Sequence, residues 1–317
     1  MDRKSLILSG IAKLADSKRN ILGIVSCGSF SRGDMDKFSD IDLYIFTKSI
    51  VDFTDRNNND WLNALGDILS IRIFKDRQEG VDKIKLILVG GLMFDLTIVS
   101  SRKFSLVGLY LNLVNWGLNG MIPNGVSRLM ESNINTFYET IRRGYEVHVD
   151  KIGIRKVLGK AVNYIESKRE LNAGLSLTRV QFENSYHLFW QSCYTASVKL
   201  IRGDYFYVVL VYDHYLKQQL VRMIEWGESI LRADQLDYFY NAYKIRDWGG
   251  EQLYNRLKFT LFSNSVGDML ESILQMIEIY QEYAGLVART FEFKLNHEFE
   301  QFVINFVQEA LLNVNDK

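Results

Sequence analysis

Two aspartates separated by one apolar residue, Asp40-Ile41-Asp42, open an alternating stretch that continues Leu43-Tyr44-Ile45-Phe46. Alternation of period two marks a strand, which sets both carboxylates on one face and Ile41 on the other. Side-by-side carboxylates repel unless a cation stands between them, and hard divalent cations choose carboxylate oxygens. Upstream, Gly28 and Ser29 follow an apolar run (Ile21, Leu22, Ile24, Val25) that reads as a strand. Small residues at a strand end let phosphate oxygens approach backbone N–H groups and the Ser29 hydroxyl. Either part alone is commonplace, since a Gly-Ser is ordinarily a turn and an Asp-x-Asp ordinarily a solvated face. Their ordered combination in Cys27–Phe46 describes a site for Mg²⁺ and a nucleoside triphosphate.

A third carboxylate, Asp95, is the one charged residue of another apolar strand, Met93–Val99. A half-buried carboxylate is costly unless something compensates it. A metal or a proton-transfer role would do so; a strand-edge position facing water is the structural alternative.

The elements that must hold these residues follow from periodicity. Arg3–Ser17 has helical spacing, Asn20–Cys27 and Asp40–Phe46 are strands, and Phe30–Lys37 is a polar connector. Within it Arg32 and Gly33 suit a helix start or tight turn facing phosphates. Trp61–Leu69 reads as a short helix, and Ile71–Phe74 and Ile84–Val89 as strands, with Gly90-Gly91 as a turn before Met93. Leu106–Trp116 and Asn133–Arg142 are helical, and Glu146–Val149 is a short strand. From Lys151 the period becomes 3.6, with helices over Leu177–Ile201, Tyr205–Leu231, Val266–Phe291 and Glu298–Leu312. The expected architecture is α+β: a mixed sheet with helices over residues 1–150, then a helical bundle over residues 151–317.

Composition excludes several classes. Of 317 residues, 38 are Lys or Arg and 38 Asp or Glu, a net charge of zero. Nucleic-acid binders normally carry a basic excess or stripe, and no basic cluster here is denser than Lys168-Arg169 or Arg142-Arg143. No nucleic-acid partner is therefore expected. No apolar run is long enough to span a bilayer, and the two cysteines, Cys27 and Cys193, support no disulfide framework. A cytoplasmic location is the expectation.

The segment CGSFSRGDMDKFSDIDLYIF resembles the active-site stretch of the DNA polymerase β-like nucleotidyltransferase superfamily, in particular of the lincosamide nucleotidyltransferases and the aminoglycoside (streptomycin) 6-adenylyltransferases. FDLTIV around Asp95 is similar to the strand carrying the third acidic residue of the streptomycin enzymes. QFENSYHLFWQSCYTASVKLIRGDYFYV, YLKQQLVRMIEW and SNSVGDMLESILQMIEIYQEYAGLVARTFEF resemble helices of their C-terminal domain. The resemblance spans nearly the whole chain except Ser101–Thr140, which looks like an addition.

The resemblance implies transfer of AMP, or another NMP, from an NTP such as ATP to a hydroxyl of a small antibiotic, with two Mg²⁺ ions. Carried over, Gly28 and Ser29 hold the triphosphate, and Asp40 and Asp42 bind metal. Asp95 ligates metal or activates the acceptor hydroxyl, and the alternatives stay open. Lys199 matches a phosphate-contacting lysine, Arg32 is a further phosphate contact, and Glu183 and Tyr186 are substrate-contact candidates on the facing helix. The acceptor would lie between the domains, in a monomer or homodimer. A polycationic aminoglycoside would favour an acidic protein; a pI of about 6.9 tilts towards a lincosamide. The competing expectations are AMP transfer to a protein or an endogenous metabolite, and a catalytically silent nucleotide sensor.

Overall fold

The computed structural model describes residues 3–75, 81–142, 144–171, 177–232, 242–261 and 265–315. Contacts divide the chain into two compact units, Met1–Leu171 and Asn172–Lys317.

The first unit is built on a six-stranded sheet of order β3-β4-β5-β2-β1-β6. Its strands are β1 (Ile21–Cys27), β2 (Ile41–Thr47), β3 (Ile68–Lys75), β4 (Asp82–Leu88), β5 (Met93–Ser100) and β6 (Tyr145–Asp150). Only β2 and β5 run parallel; the other neighbours are antiparallel, so the sheet is mixed. Helix α1 (Arg3–Ser17) lays Ile7, Ile11 and Leu14 against one face, with spacings of four and three that make a helical stripe. That face supplies Ile24, Leu43, Ile45, Leu86 and Leu96. A short α2 (Gly28–Arg32) follows β1, and α3 (Val51–Thr54) follows β2. Asp60–Leu65 is a 3₁₀ turn stopped by Gly66 at φ 139°, so the expected Trp61–Leu69 helix is shorter and Ile68 already starts β3.

The opposite face is covered only in part. Helices α4 (Ser101–Asn115), α5 (Asn124–Ile141) and α6 (Ile154–Leu171) enclose Val25, Phe46, Val147, Phe104, Ile154 and Leu158. They also pack on one another through Leu111, Ile134, Tyr138, Ala161 and Ile165. The Ser101–Thr140 stretch is therefore two helices roofing part of the sheet. Because α6 packs here, the division falls after Leu171, about twenty residues beyond the change of period.

The second unit holds α7 (Arg179–Ile201), α8 (Tyr205–Tyr207), a π-helical turn over Val208–Tyr212, α9 (Asp213–Leu231), α10 (Ile245–Lys258), α11 (Val266–Phe291) and α12 (His297–Asn315). The expected Tyr205–Leu231 helix is thus interrupted by one wider turn. The core is aromatic: Phe189 stacks on Tyr280 with centroids 3.7 Å apart, and Trp190 and Tyr186 are fully enclosed. The buried Tyr186 hydroxyl is paired on both sides, as burial demands. Tyr186 donates its hydroxyl to Glu300 (2.7 Å) and accepts from the Asn296 N–H (3.0 Å). Tyr186→Phe would strip both partners and is expected to cost about 1–3 kcal/mol, read as a lower denaturant midpoint at unchanged m-value.

Candidate active site

The polar row of the sheet is a consequence of register. Cys27 of β1 stands opposite Asp42 of β2, Asp42 opposite Asp95 of β5, Asp95 opposite Lys85 of β4, and Lys85 opposite Arg72 of β3. Laterally paired residues share a face, so a thiol, two carboxylates, an ammonium and a guanidinium follow one another across five strands. Asp40 sits just before β2, two residues from Asp42, and faces solvent. The alternation predicted from sequence holds: Ile41 and Leu43 are buried and Asp42 is half-buried.

Asp42 is the strained member. Burial, then the neighbouring charges of Asp40 and Asp95, push its pKa up to about 7, against a smaller pull from Lys83 and Lys85. Burial first, and Asp42 second, push the Cys27 thiol up to about 12, so it is a neutral packing group. Asp95 is only 15% exposed; one oxygen takes the Lys85 ammonium at 2.9 Å, while its buried Oδ1 has no hydrogen-bond partner among the described residues.

Gly28 begins α2 at φ 71°, a conformation that favours glycine. A Cβ there would stand 2.5 Å from Asp42 Oδ2, so the turn passes directly over the carboxylate. Gly33 closes α2 at φ 79°, its N–H bonded to the Ser29 carbonyl (3.0 Å). Behind the turn Ser26 Oγ bonds Ser31 Oγ (2.7 Å) and His148 Nε2 (2.8 Å), tying α2 to β6. The loop leading to Asp40 is pinned by Arg3, which donates to the carbonyls of Asp36 (2.8 Å) and Ser39 (3.1 Å).

These contacts fit a hard divalent cation: a crowded, partly buried carboxylate pair, an orphaned oxygen on Asp95, and an ammonium already standing as counter-charge. Among the described residues no three His, Cys, Asp or Glu side chains form a closed metal cage. Mg²⁺ commonly takes one or two carboxylates and completes its shell with substrate phosphates and water, and an open carboxylate row beside a glycine turn suits that mode.

The structure brings Gly28, Asp40, Asp42 and Asp95 together, with Ser29 beside Gly28 on α2. Arg32, on the same turn, pairs with Asp34 at 3.2 Å. The other candidates lie in the second unit. Lys199, in the last turn of α7, pairs with Asp204 (3.2 Å) and sits 5.4 Å over the Tyr207 ring. Glu183 is a surface partner of Arg179 (2.7 Å), and Tyr186 is 2% exposed, a core residue bonded to Glu300. The sequence reading missed Lys85, Arg72, Ser31 and His148. Lys85 and Arg72 alternate with apolar residues, but their alignment with Asp95 depends on strand pairing.

Comparison with known families decides the class. A nucleotidyltransferase-domain model matches residues 8–85, which contain Gly28, Ser29, Asp40 and Asp42, and a streptomycin adenylyltransferase model matches residues 169–310. Residues 8–85 thus belong to a nucleotidyltransferase domain, and the C-terminal part matches the streptomycin adenylyltransferase family. Among solved structures, this chain is similar to an aminoglycoside 6-adenyltransferase from Bacillus subtilis, at 12% identity and TM-score 0.40 over 98% of this chain and 99% of that one. It is also similar to a nucleotidyltransferase-like protein from Exiguobacterium sibiricum, at 10% identity and TM-score 0.32 over 91% and 78%. Likenesses that weak bear on neither the chemistry of the site nor its acceptor. No curated protein sequence matches this chain.

Proposed function

We propose that the protein transfers a nucleoside monophosphate, AMP in the first instance, from a Mg²⁺-bound NTP to a hydroxyl of a small molecule. The observation that supports this most strongly is the crowding of Asp42 by Asp40 and Asp95 directly beneath the Gly28 turn. Asp40 and Asp42 would hold Mg²⁺, with Asp95 beside them as a further ligand or the base. Bound there, the cation would neutralise charge on the α-phosphate and the leaving oxygens.

The chain's own groups supply the remainder. Ser29 and the backbone N–H groups of the Gly28 turn would bind the phosphates, and Arg32 and Lys199 are the further cations proposed for the pyrophosphate charge. The acceptor oxygen forms its bond to the α-phosphorus as the bond to the pyrophosphate oxygen breaks. Pyrophosphate leaves with the electron pair, and a carboxylate near the acceptor would take the hydroxyl proton, Asp95 where it serves as the base rather than as a ligand. Positioned acid–base help of that kind is worth on the order of a hundredfold or more. A dependence on ATP suits the cytoplasm, and no helix among the described residues is long and apolar enough to cross a membrane.

The match of residues 169–310 to a streptomycin adenylyltransferase model brings aminoglycosides, with lincosamides beside them, into the acceptor panel. The test is incubation with MgATP and a panel of those drugs plus neutral and acidic polyols, read by mass spectrometry. An AMP-sized mass increase on one hydroxyl compound, dependent on Mg²⁺, is the expected result. ATP left intact with every acceptor and with water would remove the proposal.

A further inference from the structure

Beside the carboxylates, on the side away from Gly28, lies a groove of about 260 Å³ lined by Asp40, Arg72, Lys85, Met93, Phe94 and Asp95 among others. Its floor is the uncovered part of the sheet face. Lys85 and Ile87 are exposed on β4, and Ser70 and Arg72 on β3. The register that sets the catalytic row also sets its direction. From the Gly28 turn at the end of β1 the order runs Asp42, Asp95, Lys85, Arg72. At about 4.8 Å per strand the groove begins beside Asp95 and reaches about 10 Å beyond it.

Phosphoryl-type displacement keeps the attacking and leaving oxygens roughly in line. With the phosphates on the Gly28–Ser29 side, the acceptor hydroxyl enters from the opposite side of the carboxylates, which is this groove. The chemistry of its walls then bears on the acceptor. Asp40 and Asp95 are committed to the cation and the proton, and the Lys85 ammonium, now 2.9 Å from Asp95, is half-exposed towards the groove. Arg72 lies over the Phe74 ring with its guanidinium carbon 4.4 Å from the centroid, and a guanidinium's planar fork of donors matches a planar anion. Met93 and Ile87, both exposed, give an apolar wall beside the two cations.

We propose that this groove is the acceptor subsite and that Arg72 and Lys85 select a hydroxyl compound carrying an anionic group, a carboxylate or a phosphate. The assignment rests on the nucleotidyl-transfer reading and narrows its acceptor away from polycations, which the two side chains would repel.

The test uses the full chain with its nucleotide site filled by Mg²⁺ and α,β-methylene-ATP, so that added anions cannot occupy the phosphate site. Glycerol 3-phosphate, gluconate, glycerol and streptomycin are titrated calorimetrically. The expected result is binding of an anionic probe and none of glycerol; the preferred anion tells phosphate from carboxylate. Arg72→Glu weakens that binding by about tenfold or more, the size of a lost charge-assisted contact, whereas Arg72→Lys keeps most of it. Melting curves of both variants confirm the fold. Unchanged affinity in Arg72→Glu, tighter binding of streptomycin than of either anion, or no binding of either anion would each overturn the assignment. A parallel measurement of analogue binding and of acceptor-free conversion of ATP to AMP and pyrophosphate separates the two levels. If both are present while the anions ignore Arg72, only the groove assignment fails. If both are absent, the nucleotidyl-transfer reading fails with it.

Discussion

Asp42→Asn is expected to abolish nucleotidyl transfer and, in metal-free buffer at pH 8, to make the protein more stable than the wild type. Asp42 titrates at about 7 in the folded chain because burial and two neighbouring carboxylates oppose its charge. Its ordinary value is 3.8. Below pH 4 it is neutral in both states and costs nothing. Between about 4 and 7 the unfolded chain ionises while the folded chain keeps its proton, so stability falls as pH rises. Above 7 the full penalty is present, on the order of 4 kcal/mol. Asparagine carries no such charge, so at pH 8 the variant should melt roughly 10 °C higher, and the gap should shrink towards pH 4. Saturating Mg²⁺ with nucleotide should narrow it at pH 8 by stabilising only the wild type. A variant no more stable at pH 8 than the wild type would show that the carboxylates are not crowded.

Gly28→Ala should be the most damaging conservative change near the site. Alanine at φ 71° costs about 1–2 kcal/mol in backbone strain alone. Its methyl would also stand 2.5 Å from Asp42 Oδ2, so the carboxylate or the turn must shift. A displacement of about 1 Å in a positioned group can cost about a hundredfold in rate, and transfer should fall by at least that factor. Gly33→Ala is the control: φ is 79°, yet nothing lies within 4 Å of its Cβ. It should lose similar stability and little activity. Equal loss of kcat in both variants would mean that the Asp42 contact does not matter.

The residues proposed to carry the chemistry were open to sequence reading because their signals are local. Period-two alternation put Asp40 and Asp42 on one face, and an isolated charge in an apolar strand drew attention to Asp95. What escaped depends on which strands and helices become neighbours. Lys85 and Arg72 acquire meaning only when β4 is laid beside β5 and β3 beside β4. Helix α6 has the same periodicity as the later helices, and nothing in its spacing says that Leu158 and Ile154 pack on the sheet. Tyr186 and Glu183 share a helix, but the aromatic stripe that includes Tyr186 turns inwards to Glu300, while Glu183 closes a surface pair with Arg179.

The central claim is that Asp42 and its two neighbours form a cation site shared with nucleotide phosphates. Its most direct test is a Mn²⁺ titration followed by electron paramagnetic resonance, with ATP saturating, on the wild type, Asp42→Asn and Asp95→Asn. Tight nucleotide-dependent Mn²⁺ binding is expected in the wild type, with its loss in Asp42→Asn and a weaker remnant in Asp95→Asn. Identical Mn²⁺ binding in the wild type and Asp42→Asn would contradict the claim.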